Sequence, residues 1–296
     1  MDARNLMGKY LARAIALTCA FASSACMVVV GSDSPEGHSY ATLGSNITQG
    51  NDQIATEKRA IRDFTRLSVK GPLQVEVNVG FTPRMEVIAD ANLIELVRSE
   101  TNDSLHKVWI AGSFRSKNPI RIVYTVTQLD EAISLGSARL TITGIQGNAL
   151  KIDNQGSGSI SLAGRVARLD VNTSGSGEID AKALGSKDIK ARVQGSGSLE
   201  LNATVGNSLE LDLLGSGSAR ATGDVANLLV RLQGSGSVDC AALKRQVADL
   251  HPIGSGDLTA TVSQSVMVQS QGSGKVRVLG APSLKPASGN SNQVDL

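Results

Sequence analysis

From Leu150 to Val278 the chain alternates apolar and polar residues in short stretches on either side of a repeated Gly-Ser-Gly triplet. Counted from the first glycine of each triplet, the positions six and four before it and four and six after it are apolar in every repeat. In that order the four columns are Leu150, Leu169, Ile189, Leu209, Leu228, Ala248, Val266; Ile152, Val171, Ala191, Leu211, Val230, Leu250, Val268; Ile160, Ile179, Leu199, Ala219, Val238, Leu258, Val276; and Leu162, Ala181, Leu201, Ala221, Cys240, Ala260, Val278. A spacing of two residues, with many β-branched side chains, predicts two short strands per repeat, each with one face in a core.

The triplet keeps a nearly fixed period. Its first glycines stand 19, 20, 20, 19, 20 and 18 residues apart, at Gly156, Gly175, Gly195, Gly215, Gly234, Gly254 and Gly272, and a degenerate triplet begins at Gly136. Gly and Ser are typical of flexible linkers, but a linker has no reason to keep a period, whereas a solenoid does. We therefore interpret each triplet as a tight corner in which both glycines adopt positive φ and the serines stack in a ladder. A second, less regular corner is predicted near Gly164, Gly185, Gly206 and Gly223.

The polar columns between the apolar ones alternate in charge. The column five positions before the glycine begins Lys151, Asp170, Lys190, Glu210, and the column three positions before it contains Arg192, Asp212, Arg231. Strands of neighbouring coils lie about 4.8 Å apart, so opposite charges would meet on an outer surface, each pair contributing about 0.2 to 1 kcal/mol. Two adjacent columns with the same alternation support the predicted stacking of the coils.

Composition shifts divide the chain into four parts. Residues 1–25 are predicted to form a signal peptide, residues 26–60 a flexible tether with few large apolar residues, and residues 281–296 a disordered tail. Residues 61–280 are predicted to form one β-solenoid domain, which opens with alternating strands and contains the repeats in residues 136–280.

The first part has the layout of a secretory signal peptide, with basic residues, an apolar run and then small residues. Cleavage is expected after Ala22 or Ala25. Cys26 directly follows Ala25 and is a candidate lipidation site of a bacterial lipoprotein, although Ser23 stands where leucine is usual. A retained anchor over Ala14–Val30, 17 residues without charge, is the alternative.

Several stretches between about Ile61 and Gly280 resemble a known bacterial family. They are "RDFTRLSVKGPLQVEV", "ADANLIELVRSETNDSLHKVWI", "IRIVYTVTQLDEAISLGSARLTI" and coils such as "LDVNTSGSGEIDA". Together they resemble the autotransporter adhesin head domains of the GIN type, a domain of unknown function. The resemblance implies an all-β fold, a right-handed parallel β-helix (β-solenoid), in a protein exported to the cell envelope and often lipidated. It implies no catalytic residues, and the word adhesin in the family name is itself an inference.

Composition gives little support for ligand chemistry in the array. The formal net charge is +2, and only 3% of residues are aromatic, with none after Tyr124, so a basic face for nucleic acid and a stacking platform for sugars are both unexpected. His38, His106 and His251 are too scattered to predict a metal site, and no cofactor is expected. Cys240, alone in the array, is predicted to be a small buried apolar residue.

An enzyme is nevertheless an alternative, because right-handed β-helices include polysaccharide lyases and hydrolases. The candidate site residues lie on the strand after the triplet, and they are Glu178, Asp180, Glu200, Arg220 and Asp239. An acidic run is more often a solvated face than a catalytic centre, so we expect a non-enzymatic protein of the periplasm, outer membrane or cell surface that acts as an adhesion or interaction scaffold. Its expected partners are an envelope or host surface component, or a second copy bound through the solenoid ends. We expect no nucleic acid, and membrane contact only through a lipid at Cys26.

Overall fold

The repeated triplets organise the chain into a parallel β-solenoid of about 7 turns roughly 20 residues apart, which confirms the predicted fold class. This computed structural model describes residues 47–284 and 294–295. The predicted signal peptide, the lipidation site Cys26 and most of the predicted tether lie outside the described residues.

Short strands precede the repeats, and a 3₁₀ helix, Ala91–Leu96, stands between the fifth and sixth of them. The strands are β1 (Ile47–Gln49), β2 (Ile54–Arg59), β3 (Arg66–Lys70), β4 (Gln74–Val79), β5 (Arg84–Asp90), β6 (Val97–Asn102), β7 (Leu105–Ile110), β8 (Ser113–Arg115), β9 (Arg121–Val126) and β10 (Glu131–Gly136). The array strands are β11 (Arg139–Gly156), β12 (Ser159–Gly175), β13 (Glu178–Gly195), β14 (Ser198–Gly215), β15 (Ser218–Gly234), β16 (Ser237–Cys240), β17 (Leu243–Gly254), β18 (Asp257–Thr261), β19 (Ser265–Val268), β20 (Gln271–Gly272), β21 (Val276–Leu279), β22 (Ser283–Leu284) and β23 (Val294–Asp295).

Each coil of the array contributes to two faces. The segments that precede each triplet stack in register on a first face, where Leu169 is opposite Ile189, and the segments that follow it stack on a second face, where Ile179 is opposite Leu199. All four predicted apolar columns lie in the core, with side chains at most 3% exposed. Spacing by two therefore predicted correctly which residues face inward, because alternate residues of a strand point to opposite sides.

The two faces are joined by the Gly-Ser-Gly corner on one side and by the predicted second corner on the other. The register between neighbouring coils shifts only near the second corner, for example between Ser161 and Ala163 and between Ala203 and Gly206. The long strands β11–β15 run through this corner and bend there. The second corner is thus confirmed as the irregular one.

The N-terminal end of the solenoid is built from strands distant in sequence. β3 pairs in parallel with β7 and β10, and β4 pairs in parallel with β9 and β11. Beyond them the pairing becomes antiparallel, with β6 on β7, and with β5 between β9 and β2. Arg59 joins the two outermost strands, since its guanidinium donates to the carbonyl oxygens of Val97 (2.7 Å) and Ile94 (3.1 Å).

Strands also occur outside the boundaries predicted for the β-solenoid domain, at both ends. The predicted tether over residues 26–60 contains β1 and β2, and the predicted tail over residues 281–296 contains β22 and β23, which pair with β19 and β21 of the last coil. Polar strands such as β2 hold their place by backbone pairing at a sheet edge and do not show the apolar alternation used to predict strands. Residues 47–284 and 294–295 contain no helix with the length and hydrophobicity of a membrane span.

Candidate functional site

The two glycines of each triplet satisfy different constraints. Gly195 has φ of +112°, and a Cβ there would stand 2.5 Å from the carbonyl oxygen of Gly175 in the preceding coil. Gly197 has no positive φ, but a Cβ there would stand 2.6 Å from the carbonyl oxygen of Gly177. The prediction of positive φ is confirmed for the first glycine and wrong for the second, which is required because the coils pack backbone against backbone.

The corners are held by backbone hydrogen bonds between coils. The amide of Ser196 donates to Gly175 O (2.9 Å), and the amide of Ser198 donates to Gly177 O (3.0 Å). The triplet serines are exposed and stack along the corner as predicted. Within the described part of the chain, however, a hydroxyl-to-hydroxyl bond between them is found at Ser235 and Ser255 alone, at 3.0 Å. The corner is therefore a backbone structure that carries serines, and the hydroxyl ladder contributes little to it.

The predicted charge alternation is confirmed on the first face. Lys151, Asp170, Lys190 and Glu210 are opposite one another on successive coils, and Lys190 Nζ lies 3.7 Å from a carboxylate oxygen of Glu210. The alternation extends one step further back than predicted, because Glu131 on β10 contacts Lys151 (2.9 Å).

Glu131 is the most buried residue of this column, with its side chain 11% exposed. Its carboxylate is also 2.7 Å from Nε of Arg66 on β3. Burial opposes ionisation of Glu131, but the hydrogen bonds from Lys151 and Arg66 outweigh it and hold the pKa of Glu131 below its usual value. This cluster ties the N-terminal strands to the first coil of the array.

The adjacent column forms a second set of ion pairs. Asp212 is mostly buried and accepts from Arg192 (3.2 Å) and from Arg231 (3.1 Å), and Arg231 also contacts Glu210 (2.7 Å). The pKa of Arg231 is raised, first by its hydrogen bond to Glu210 and then by its hydrogen bond to Asp212. The two columns are therefore one connected network across the central coils.

The candidate catalytic residues do not converge. Asp180, Glu200, Arg220 and Asp239 follow one another along one outer column of the second face, whereas Glu178 lies in the next column, opposite Ser159 and Ser198. Arg220 pairs with Asp239 at 3.1 Å.

Lys182 contacts both remaining acids of that column, Asp180 at 3.4 Å and Glu200 more closely. These contacts raise the pKa of Lys182, first through the hydrogen bond to Glu200. Asp180, Glu200 and Asp239 are thus each paired with a neighbouring cation and do not face each other across a cleft.

The remaining candidate residues are dispersed. His106 is buried at the N-terminal end, where its ring nitrogens contact Tyr124 Oη (3.0 Å) and Thr101 Oγ1 (2.7 Å), and its ring stacks on Phe64 at 4.7 Å. Burial lowers the pKa of His106 to about 4. Cys240 is buried in its predicted column. Among the residues that the structure describes, no group of three His, Cys, Asp or Glu side chains is placed to hold a metal ion.

A groove along the second corner was not predicted from the sequence. It has a volume of about 980 Å³ and crosses four neighbouring coils, which contribute Gly144, Gly164, Gly185 and Thr204. Arg165 and Lys187 line it, and the lining contains no acidic residue. Its sequence signal is weak, because small residues at an irregular corner do not form a fixed column.

A comparison with protein families covers nearly the whole described fold. The family described as "Putative auto-transporter adhesin, head GIN domain" matches residues 63–206 and 204–282. The chain belongs to this family. The GIN head domain thus includes both the strands before the array and the Gly-Ser-Gly coils. No curated protein matches the chain significantly.

Solved structures share the fold of this GIN head domain at low sequence identity. A "putative lipid binding protein" from Parabacteroides distasonis has a TM-score of 0.61 at 22% identity, over 83% of this chain and 98% of the other. A "putative adhesin" from Parabacteroides merdae has a TM-score of 0.60 at 19% identity, over 80% of this chain and 93% of the other. At such identities the similarity concerns the fold alone.

Proposed function

We propose that the protein is a non-enzymatic, exported scaffold of the cell envelope or cell surface that acts by adhesion or interaction. The observation that carries this proposal is the mutual neutralisation of acids and bases on the outer faces of the array. Glu210 and Asp212 are joined by Arg192 and Arg231 on the first face, and Asp180 and Glu200 by Lys182 on the second. Such ladders maintain a stiff, polar surface between coils.

The rival proposal is a polysaccharide-active enzyme on the same fold. Glycoside hydrolysis needs two carboxyl groups on opposite sides of the scissile bond, one of them able to act as an acid. Asp180 and Glu200 stand side by side in one column and share the cation of Lys182, so they are not arranged as an acid and a base on opposite sides of a sugar. The array also has no aromatic residue, and the groove at the second corner is lined by no acid that could act as a base.

Export and surface location rest on two observations. The first 25 residues have the composition of a secretory signal peptide, and Cys26 follows at the position of a lipoprotein cysteine. The family to which the chain belongs is described as "Putative auto-transporter adhesin, head GIN domain". A head domain acts by exposing its surface, which agrees with a scaffold.

The test of this proposal uses the mature protein, whose N-terminus and any lipid are first located by mass spectrometry. The protein is incubated with a panel of anionic and neutral polysaccharides, and reducing ends and unsaturated products are measured. We expect no cleavage of any member, together with adsorption to envelope or host cell surfaces. Cleavage that is lost in Asp180→Ala or Glu200→Ala, but retained in the neighbouring surface variant Ser198→Ala, would establish the enzyme instead. A mature protein retained in the cytoplasm would contradict export.

A further inference from the structure

The cations of the central coils are distributed unevenly between ion pairs and open surface. From Lys151 to Arg231 the chain contains nine Lys and Arg residues. Six of them form ion pairs on the two faces, namely Lys151, Lys182, Lys190, Arg192, Arg220 and Arg231. The three that form none among the described residues are Arg165, Arg168 and Lys187, and all three lie at the second corner. Within this stretch of the described chain, the second corner is where positive charge has no ion-pair partner.

Two of these cations line the groove of about 980 Å³ at the same corner. Arg165 is exposed and lies opposite Gly185 on the next coil, and Lys187 follows two residues after that glycine and is also exposed. The two positive side chains therefore stand on neighbouring coils at one groove. A guanidinium and an ammonium group that have no ion-pair partner among the described residues favour an anionic ligand with at least two charges.

Neighbouring acids form no ion pair with these cations among the described residues. Asp188 follows Lys187 in sequence, but its carboxylate accepts hydrogen bonds from Ser208 Oγ (3.0 Å) and Asn207 Nδ2 (3.3 Å) on the next coil. Asp170 lies in an adjoining hollow with Arg168, outside the groove lining. The groove keeps the two positive charges of Arg165 and Lys187.

The shape and floor of the groove limit what can occupy it. It runs across four successive coils, which at about 4.8 Å per coil favours a linear molecule aligned with the solenoid axis. Of its apolar side chains, Ile145 and Val166 are buried in the core and the small Ala167 is exposed, so an acyl chain would find no large apolar side chain to pack against. The coils beneath are already paired with one another, for example Arg165 with Gly185, so an extended peptide cannot add as a further strand.

We propose that this groove binds a linear anionic polysaccharide, with Arg165 and Lys187 contacting acidic groups on the chain and Gln146 and Thr204 contacting hydroxyls. The proposal rests on the proposed role as a surface scaffold and names the chemistry that the scaffold recognises. The glycines of the groove allow a sugar chain to approach the backbone closely. In the absence of aromatic residues, binding depends on charge and hydrogen bonds and therefore weakens as salt concentration rises.

The experiment measures binding of the mature protein to polygalacturonate at low and at physiological salt, with fully methyl-esterified polygalacturonate as the uncharged match. Three proteins are compared: the native protein, the double variant R165Q/K187Q, and the double variant K244Q/K275Q. The last variant makes the same charge change at two exposed lysines of the array outside this groove. Thermal unfolding of each protein establishes that it is folded, and product analysis of each mixture detects cleavage.

We expect polygalacturonate to bind the native protein and K244Q/K275Q within about twofold of each other, and to bind R165Q/K187Q at least about tenfold more weakly, the loss expected for two charge-assisted contacts. The methyl ester should bind at least about tenfold more weakly than the acid. Equal losses in both double variants, equal binding of the methyl ester, or tighter binding of poly-glutamate than of polygalacturonate would each overturn the proposal. Unchanged polygalacturonate binding in R165Q/K187Q, with surface adhesion and no cleavage, would refute this site but not the scaffold, whereas cleavage would refute the scaffold.

Discussion

At the residue scale, the glycines of the Gly-Ser-Gly corners show two reasons why a side chain would destabilise the fold there. At Gly195 a substitution meets both an unfavourable φ and the carbonyl of Gly175, whereas at Gly197 it meets only the carbonyl of Gly177. Gly147, at the other corner, has neither constraint, since a Cβ there would have no heavy atom within 4 Å and its φ is not positive. Substitutions at these three positions therefore separate the energetic cost of an unfavourable φ from the cost of steric overlap.

We predict that Gly195→Val lowers the free energy of unfolding by about 2 kcal/mol or more, because strain and overlap add. Gly197→Ala should cost at least about 1 kcal/mol through overlap alone, and Gly147→Ala should change it by less than about 0.5 kcal/mol. Chemical denaturation of the three variants checks this order. Unchanged stability in Gly195→Val would mean that the triplets are linkers.

A second feature of single residues is a set of buried polar side chains just before the corner. Ser134, Asn154 and Thr173 are opposite one another on successive coils and 0% exposed. Ser134 Oγ, Asn154 Oδ1 and Thr173 Oγ1 have no hydrogen-bond partner among the described residues. In the next coils the same column continues as Val193 and Leu213, so apolar side chains fit it.

We predict that Thr173→Val raises the free energy of unfolding by about 1 kcal/mol, because it removes an unsatisfied buried hydroxyl and keeps the shape. The matched reverse change, Val193→Thr, should lower it by about 1 to 3 kcal/mol. Denaturation curves of both variants measure the sign. A loss of stability in Thr173→Val would show that the hydroxyl has a partner such as a buried water molecule.

At the element scale, the coils are aligned by side chains as well as by backbone pairing. Lys190 lies between Asp170 and Glu210, and Arg231 also contacts Glu210. Exposed ion pairs are individually weak, so their contribution lies in disfavouring a shifted register in which like charges would face each other.

We predict that Lys190→Glu lowers stability by about 0.5 to 1 kcal/mol at low salt and that adding Glu210→Lys restores only part of it, since the new lysine faces Arg231. The coupling should shrink at high salt. As a control, Lys190→Glu combined with Asp239→Lys, a residue of the opposite face, should give additive effects. Additive effects in the first pair at low salt would mean that residues 190 and 210 are not neighbours.

At the scale of the whole molecule, the N-terminal end of the solenoid is formed by strands that do not repeat, whereas the array repeats one coil. The outermost strands β2 and β6 carry charged residues, among them Glu57, Lys58, Arg98 and Glu100. Charged side chains on an edge strand oppose pairing with another chain. Self-association through the solenoid ends remains a prediction, and this end carries features that oppose it.

The N-terminal end also contains the buried contact between His106 and Tyr124. The pKa of His106 is lowered from 6.5 to about 4, so the unfolded chain binds a proton in this interval that the folded protein does not. The contribution of neutral His106 to the free energy of unfolding is therefore fully present above about pH 6.5. It is lost as the pH decreases towards 4. Asp90, which accepts from Ser116 (2.6 Å) and Asn118 (2.8 Å), has a lowered pKa and loses its contribution only at more acidic pH.

We predict that the free energy of unfolding decreases by about 3 kcal/mol between pH 7 and pH 4, at about 1.4 kcal/mol per pKa unit. His106→Gln should be less stable at pH 7 but lose most of this pH dependence. His251→Gln, which removes the half-buried histidine beside Asp249, should keep it. Denaturation at a series of pH values tests this, and an equal slope in native protein and His106→Gln would contradict it.

Pattern alone determined the repetitive part of this protein. The period of the triplets, the four inward columns and the alternating charges were all readable because each coil repeats the environment of its neighbour. A residue such as Ile179 therefore has its surroundings repeated at Leu199, and one strand's alternation predicts the next. The candidate acids could be identified in the same way. The pairing of Asp180 and Glu200 with Lys182 could not, because Lys182 lies outside the regular columns.

Tertiary structure decided what does not repeat. The placement of β3 between β7 and β10, and of β2 on β5, depends on pairing between distant segments, which local alternation does not encode. The buried column of Asn154 and Thr173 was hidden by its polar residues, and the role of Gly197 became evident only from the carbonyl one coil away. The unequal steps between triplets require register shifts, but only the stacking of the coils places these shifts at the second corner, where the groove with Arg165 and Lys187 lies.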